Sequence, residues 1–202
     1  MDGRVVSEKI NTVIQEHAGF IQPAIESLTK ELNVSLHELE AIAVMNGPGS
    51  YTGLRVGLAS AKGICYALNK PLITINTLHW IAYGNQSDQV PFIVPMIDAR
   101  RMEVFTAQYT MNMQCISKPE ATVLDEKSFS ELLESDQVLF VGNGAQKWST
   151  ICKHPHALFH DAKHNSQHFA ELAYQFHLKN TYADLAYSEP EYTKDFYSTA
   201  KK

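Results

Sequence analysis

The segment Asn46-Gly47-Pro48-Gly49-Ser50-Tyr51-Thr52-Gly53-Leu54-Arg55-Val56-Gly57 follows an apolar run, Ala41 to Met45, and opens a long helical pattern. A strand that breaks into a glycine-rich turn and then a helix aims backbone N–H groups and a helix N-terminus at one point, which suits an anion. The spacing departs from both nucleotide fingerprints. A P-loop needs G-x-x-x-x-G-K-[ST], and no lysine follows a glycine at that distance. A dinucleotide fold needs G-x-G-x-x-G; here Gly53 comes one position late, and Asn69-Lys70-Pro71 stands where an acidic residue belongs. Gly53, Gly57 and Ala61 recur every four residues, so one helix face is light enough for another helix to come close, inside the protein or across an interface. Leu54, Leu58, Cys65 and Leu68 form an apolar stripe beside it.

Around this segment the pattern alternates between strands and helices. Arg4 to Asn11 reads as a strand after the turn pair Asp2-Gly3, its end blurred by Thr12-Val13. Glu16 to Leu32 is an amphipathic helix, with Ile21, Ile25, Leu28 and Leu32 on one stripe and Pro23 near its first turn. Ser35-x-x-Glu38 is a capping box. Ala41 to Met45 reads as a buried strand, Thr52 to Leu68 as a second long helix, Pro71 to Ile75 as a strand and Thr77 to Tyr83 as a helix. Phe92 to Ile97 and Glu103 to Tyr109 are strands joined by a turn at Asp98-Ala99-Arg100-Arg101. Asp125 or Ser128 caps a helix to Leu133. Val138 to Val141 is a strand, and Ser166 to Leu178 a helix with Phe169, Leu172, Ala173 and Phe176 on one face. Glu189-Pro190-Glu191-Tyr192 is extended. The order implies an α/β architecture in two lobes, residues 1–90 and 91–202, with a boundary near Ser87 to Pro91.

With 45% hydrophobic and 19% charged residues the composition is that of a globular protein. No apolar run reaches membrane-spanning length. Cys65, Cys115 and Cys152 form no C-x-x-C pair, which argues against a zinc ribbon or a disulfide framework and fits a reducing cytoplasm. The net charge is −5. A protein that grips nucleic acid alone normally carries a basic face, so any RNA contact is expected to be shared with a partner.

Catalytic and metal chemistry find little purchase. His160, His164 and His168 have a spacing that can stack ligands on a helix face, yet no H-E-x-x-H is present, and a solvated helix start accounts for them. No G-x-S-x-G occurs. Asp98, at a strand end, reads either as a site carboxylate or as a turn residue bonding its own backbone.

The run from Gly47 to Gly57 closely resembles the signature of the bacterial TsaB (YeaZ) family. Pro71-Leu72-Ile73-Thr74-Ile75-Asn76-Thr77-Leu78 is similar to that family's strand-to-helix step. Ile97-Asp98-Ala99-Arg100 with Glu103-Val104-Phe105 resembles its IDAR-x-x-EV[YF] segment, and Glu189-Pro190-x-Tyr192 its EP-x-Y. These matches span about His17 to Tyr192.

The resemblance implies an actin-like (ASKHA, ribonuclease-H-like) fold in two lobes. It implies a part in placing threonylcarbamoyl-adenosine beside the anticodon of tRNAs that read codons beginning with A. In that family the chain is the non-catalytic paralogue of TsaD, whose metal-binding His-x-x-x-His has no counterpart here: four residues after His17 stands Ile21. No catalytic residue, metal or cofactor is therefore expected. The implied partners are TsaD, the ATPase TsaE and, without TsaD, a second copy; tRNA is met through the complex, without any membrane, in the cytoplasm. The first two long helices carry the pairing, which assigns the interface to Ile21, Ile25, Leu28, Gly53, Leu54, Gly57, Leu58 and Ala61. A self-standing homodimeric binding module uses the same helices. A peptidase or phosphotransferase of the superfamily is the remaining alternative. The family also has two strands bearing I-D-T-[ST] before the Asp2-Gly3 turn, so this first lobe is expected to lack its first two strands.

Overall fold

The computed structural model describes residues 2–12, 17–87 and 89–193. The expected strand end at Val13, the helix start at Glu16 and position 88 of the expected boundary lie outside them. The chain divides into two compact units, Met1–Trp80 with His164–Pro190, and Ile81–Lys163 with Glu191–Lys202.

In the first unit, α2 (Tyr51–Leu68) packs on a parallel pair, β1 (Ile42–Gly47) and β2 (Leu72–Asn76), and α1 (His17–Leu32) lies against α2; β2 runs on into α3 (Thr77–Tyr83), and α6 (Ser166–Leu178) packs near β2. A strand, a helix and a parallel strand follow from apolar runs rich in β-branched residues on either side of the amphipathic α2. The capping box forms as expected: Ser35 N–H donates to the Glu38 carboxylate at 2.7 Å and opens a 3-10 turn, Leu36–Glu38. Asn69 ends α2 in the left-handed conformation, φ 51°, which asparagine tolerates better than most residues. Three expectations need correction. Residues 4–10 form no strand; Val5 N–H donates to Gln167 Oε1 at 3.0 Å, and Gln167 Nε2 donates to Gly3 O at 2.9 Å, so a side chain of α6 takes the backbone bonds a ladder would use. Pro23 stands inside α1, past its first turn. Strand β1 is half-buried until Gly47, because among the described residues β2 is its one strand partner.

The second unit is built on a five-stranded sheet in the order β5-β4-β3-β6-β7. Strands β3 (Phe92–Asp98), β4 (Glu103–Thr110) and β5 (Cys115–Val123) form an antiparallel meander; β6 (Val138–Val141) and β7 (Ala157–His160) run parallel to β3. This is the strand arrangement of a ribonuclease-H-like sheet. Phe129, Phe140, Trp148 and Phe159 meet with ring centroids 4.6–5.8 Å apart, edge-on or offset, at its core. Trp148 is fully buried and its Nε1 donates to Asp125 O at 3.0 Å; removing such a side chain costs about 3–5 kcal/mol. The helix α4 (Ser130–Ser135) is not capped by Asp125 or Ser128. Those two close their own turn instead: Asp125 N–H donates to Ser128 Oγ at 2.9 Å.

Candidate functional site

The glycine segment is the end of β1 and the start of α2. Gly47 has φ 118°, a conformation that side chains rarely adopt. Ser50 is the N-cap: its Oγ accepts from Gly53 N–H at 3.3 Å, while Leu54 N–H bonds Ser50 O at 2.8 Å. The turn therefore satisfies part of its own helix start.

The light stripe of α2 faces inward. Leu54, Leu58 and Ala61 are 9%, 3% and 5% exposed. Leu58, Ala61 and Cys65 cluster with Leu72, against Ile42 and Val44. A Cβ on Gly57 would lie 3.6 Å from Val44 Cγ2. The stripe Leu54, Gly57, Leu58, Ala61 thus seats α2 on β1 and β2. A Cβ on Gly53 would lie 3.4 Å from Ser50, the N-cap of its own helix. Ile21, Ile25 and Leu28 of α1 stay half-buried.

The outward face of α2 carries a second series of small residues that the sequence reading passed over. Ala59, Gly63 and Ala67 are exposed at four-residue spacing, and Ser60 and Ile64 flank them. With Gln22 of α1 and Leu36 they line an open groove of about 520 Å³. No atom lies within 4 Å of a Cβ built on Gly63. Tyr66 projects beside this series, 83% exposed. One turn earlier Lys62 Nζ donates to the carbonyls of Ala186 and Ser188, at 3.1 and 3.0 Å, strapping the segment after α6 to α2.

In the second unit, Asp98 holds the β3–β4 turn. Its carboxylate accepts from Lys147 Nζ and, at 2.7 Å, from Arg100 N–H; its own N–H donates to Asn143 Oδ1 at 2.9 Å. Lys147 belongs to the short helix α5 (Ala145–Ser149), and its Nζ also reaches the Arg101 and Glu103 carbonyls at 2.7 and 3.0 Å. The Lys147 bond, then the Arg100 N–H, hold the Asp98 carboxyl below the usual carboxylate range. Of the two readings of Asp98, the turn residue is the one realised. The preceding glycines make the approach possible, since a Cβ on Gly142 would run into the Met96 carbonyl and one on Gly144 would lie 2.8 Å from Val104.

The three histidines do not share a helix. His160 ends β7, His164 precedes α6 and His168 lies within it. The ring of His164 packs edge-on against Trp80 at 4.2 Å, and burial, then His168, lower its pKa. Among the described residues no group of three His, Cys, Asp or Glu side chains is placed to hold a metal, and no helix is long and apolar enough to cross a membrane.

A family model described as TsaD, tRNA N6-adenosine threonylcarbamoyltransferase, matches residues 4–195. The chain is 27% identical over 189 residues to the Escherichia coli (strain K12) tRNA threonylcarbamoyladenosine biosynthesis protein TsaB, covering 90% of this chain and 82% of that one. It is 32% identical over 143 residues to the protein of the same name from Bacillus subtilis (strain 168), covering 69% and 62%. The match thus spans about three fifths of the Bacillus relative's length. Two Pseudomonas aeruginosa structures, each 22% identical, share the fold. An uncharacterized protein with similarity to peptidase YEAZ superimposes with a TM-score of 0.76 over 91% of this chain and 87% of its own. YeaZ itself gives 0.69 over 89% and 86%.

Proposed function

The chain belongs to the TsaB (YeaZ) branch of the family that the TsaD model describes, and from that premise we propose that it is a non-catalytic scaffold subunit. In this reading it pairs with a TsaD-like transferase, in the cytoplasm, for threonylcarbamoyl-adenosine modification of tRNA next to the anticodon. A TsaE-like ATPase joins the pair. The chain itself supplies no reacting group: Ile21 stands where the transferase's first helix would need its second histidine, and Asp98 is engaged by Lys147.

The observation that carries the proposal is the outward face of the α1–α2 pair. Ala59, Gly63 and Ala67 leave a groove in which a large side chain or a second helix can seat, while Ile64, Leu36 and the half-buried flank of α1 offer apolar surface. Small residues at four-residue spacing favour close helix approach. Gly53, Leu54, Gly57, Leu58 and Ala61 support this face from inside by fixing α2 on the sheet.

The test is to mix the purified chain with the TsaD homologue of the same organism and measure mass by size-exclusion light scattering. A one-to-one complex is expected, formed at the expense of any homodimer, since both use one surface. A homodimer that persists unchanged supports the self-standing module. Turnover of ATP or peptide by the isolated chain would revive the enzymatic alternative.

A further inference from the structure

Resting on that reading, a second feature of the molecule names where this chain meets the RNA. Between β3 and β4 the chain reverses through Arg100-Arg101-Met102, closed by Ala99 N–H to Glu103 O and Glu103 N–H to Arg100 O, each 3.1 Å. Arg100 and Arg101 both take left-handed backbone, φ 71° and 49°. For an L-residue that conformation costs about 1–2 kcal/mol, and glycine or asparagine would hold it with less strain. Two arginines therefore occupy positions that local preference assigns to other residues, which is the pattern of a site kept for its side chains.

The turn is also fixed. Lys147 Nζ binds the Asp98 carboxylate and the carbonyls of Arg101 and Glu103, and Asn143 holds Asp98 N–H. Asp98 is matched to Lys147, and the nearby Asp125 carboxylate is taken by Lys127 N–H and Ser128. Both arginine side chains are exposed, with Met102 beside them. On a chain of net charge −5 this turn presents two exposed arginines.

We propose that the Arg100-Arg101 turn is a phosphodiester-binding site that contacts the tRNA backbone within the complex. Guanidinium groups match phosphate oxygens with paired N–H donors, and a prepositioned turn loses less freedom on binding than a flexible loop. A site of two contacts steadies RNA held mainly by a partner, in keeping with the acidic balance of the chain.

The test uses the full chain carrying both Arg100→Asn and Arg101→Asn. Asparagine keeps the left-handed backbone and removes the charge, so the unfolding midpoint should not fall. A fluorescent, unmodified transcript of a tRNA reading a codon beginning with A is titrated with wild type and variant, each alone and with saturating TsaD homologue. Affinity near 0.1 M salt should fall about 10-fold, and the slope of log K against log salt should become shallower by about 1.4 to 1.8, since each of the two phosphate contacts contributes about 0.7–0.9. Lysine at both positions should restore most of the slope. Equal affinity and slope in the variant overturn the proposal, as does absence of tRNA binding by the wild type in both states. If the variant instead loses pairing while tRNA affinity holds, the arginines face an acidic protein surface and the proposal fails. Pairing is scored separately by light scattering, so a wild-type chain that does not pair counts against the scaffold reading and not against this site.

Discussion

Lys147 and Asp98, far apart in sequence, join two turns of the second unit: the lysine of α5 binds the carboxylate at the end of β3 and two carbonyls of the following turn. The Lys147 side chain is 17% exposed, against 44% for Asp98, so the lysine is the partner whose bonds are shielded from water. Lys147→Met should lower stability by about 1.5–3 kcal/mol, the range for hydrogen bonds to a charged group. Urea unfolding followed by tryptophan fluorescence reads this out; an unchanged midpoint would show that the turn holds without the lysine.

The same pair sets an acid response. The folded-state pKa of Asp98 is depressed, so its contribution is present above the unfolded-state value near 4 and is lost as pH falls through the folded one. Asp98→Asn should be less stable than wild type at neutral pH, and the gap should close as pH drops below about 4. Parallel stability curves for the two proteins over that range would contradict it.

Histidine burial acts nearer neutrality. Burial, then Lys179, lower the pKa of His79, and burial, then His168, that of His164. Both bind a proton less readily in the fold than in the unfolded chain. Stability is therefore level above about pH 6.5 and declines as pH falls below it. His79→Phe should weaken that decline, measured by melting temperature from pH 8 to pH 5. A variant whose melting temperature falls with pH as steeply as that of wild type would exclude His79 as a source.

Asn85 is 8% exposed; its Nδ2 donates to Ile81 O at 2.7 Å and its Oδ1 accepts from Lys163 N–H at 2.9 Å. Asn85→Leu strands both backbone groups, which should cost about 2–4 kcal/mol in the second unit. A loss under about 0.5 kcal/mol in urea titration, the level of an ordinary surface change, would mean that water replaces both bonds.

Much of the fold was legible because long elements carry long periods. The stripes of α1, α2 and α6 and the β-branched runs of β2, β3 and β6 place those elements within a few residues of where they stand. The edge strand β5 escaped notice: it is interrupted by Lys118-Pro119-Glu120 and exposed along much of its length, so it lacks the alternation that marks a half-buried strand. The four-residue β7 and five-residue α5 are too short for any period and are held by β6 and Trp148. The return of the chain to the first unit at His164 rests on contacts of α6 that no local pattern encodes. The face of α2 was ambiguous for a definite reason. Gly53-Gly57-Ala61 and Ala59-Gly63-Ala67 are both light series on one helix, and which of them meets the sheet depends on the position of Val44.

That choice of face can be tested directly with two glycines. Gly57 looks at Val44, whereas Gly63 looks into the open groove. Gly57→Leu should overpack the β1 contact and destabilise the first unit by about 1–3 kcal/mol. Gly63→Leu should leave stability equal or raised, by up to about 1 kcal/mol, because a mid-helix glycine is replaced by a better helix former. The decisive measurement is size-exclusion light scattering of Gly63→Leu with the TsaD homologue. The scaffold account predicts a folded chain that no longer forms the one-to-one complex; a complex of wild-type mass and affinity would show that the outward face of α2 is not the partner surface.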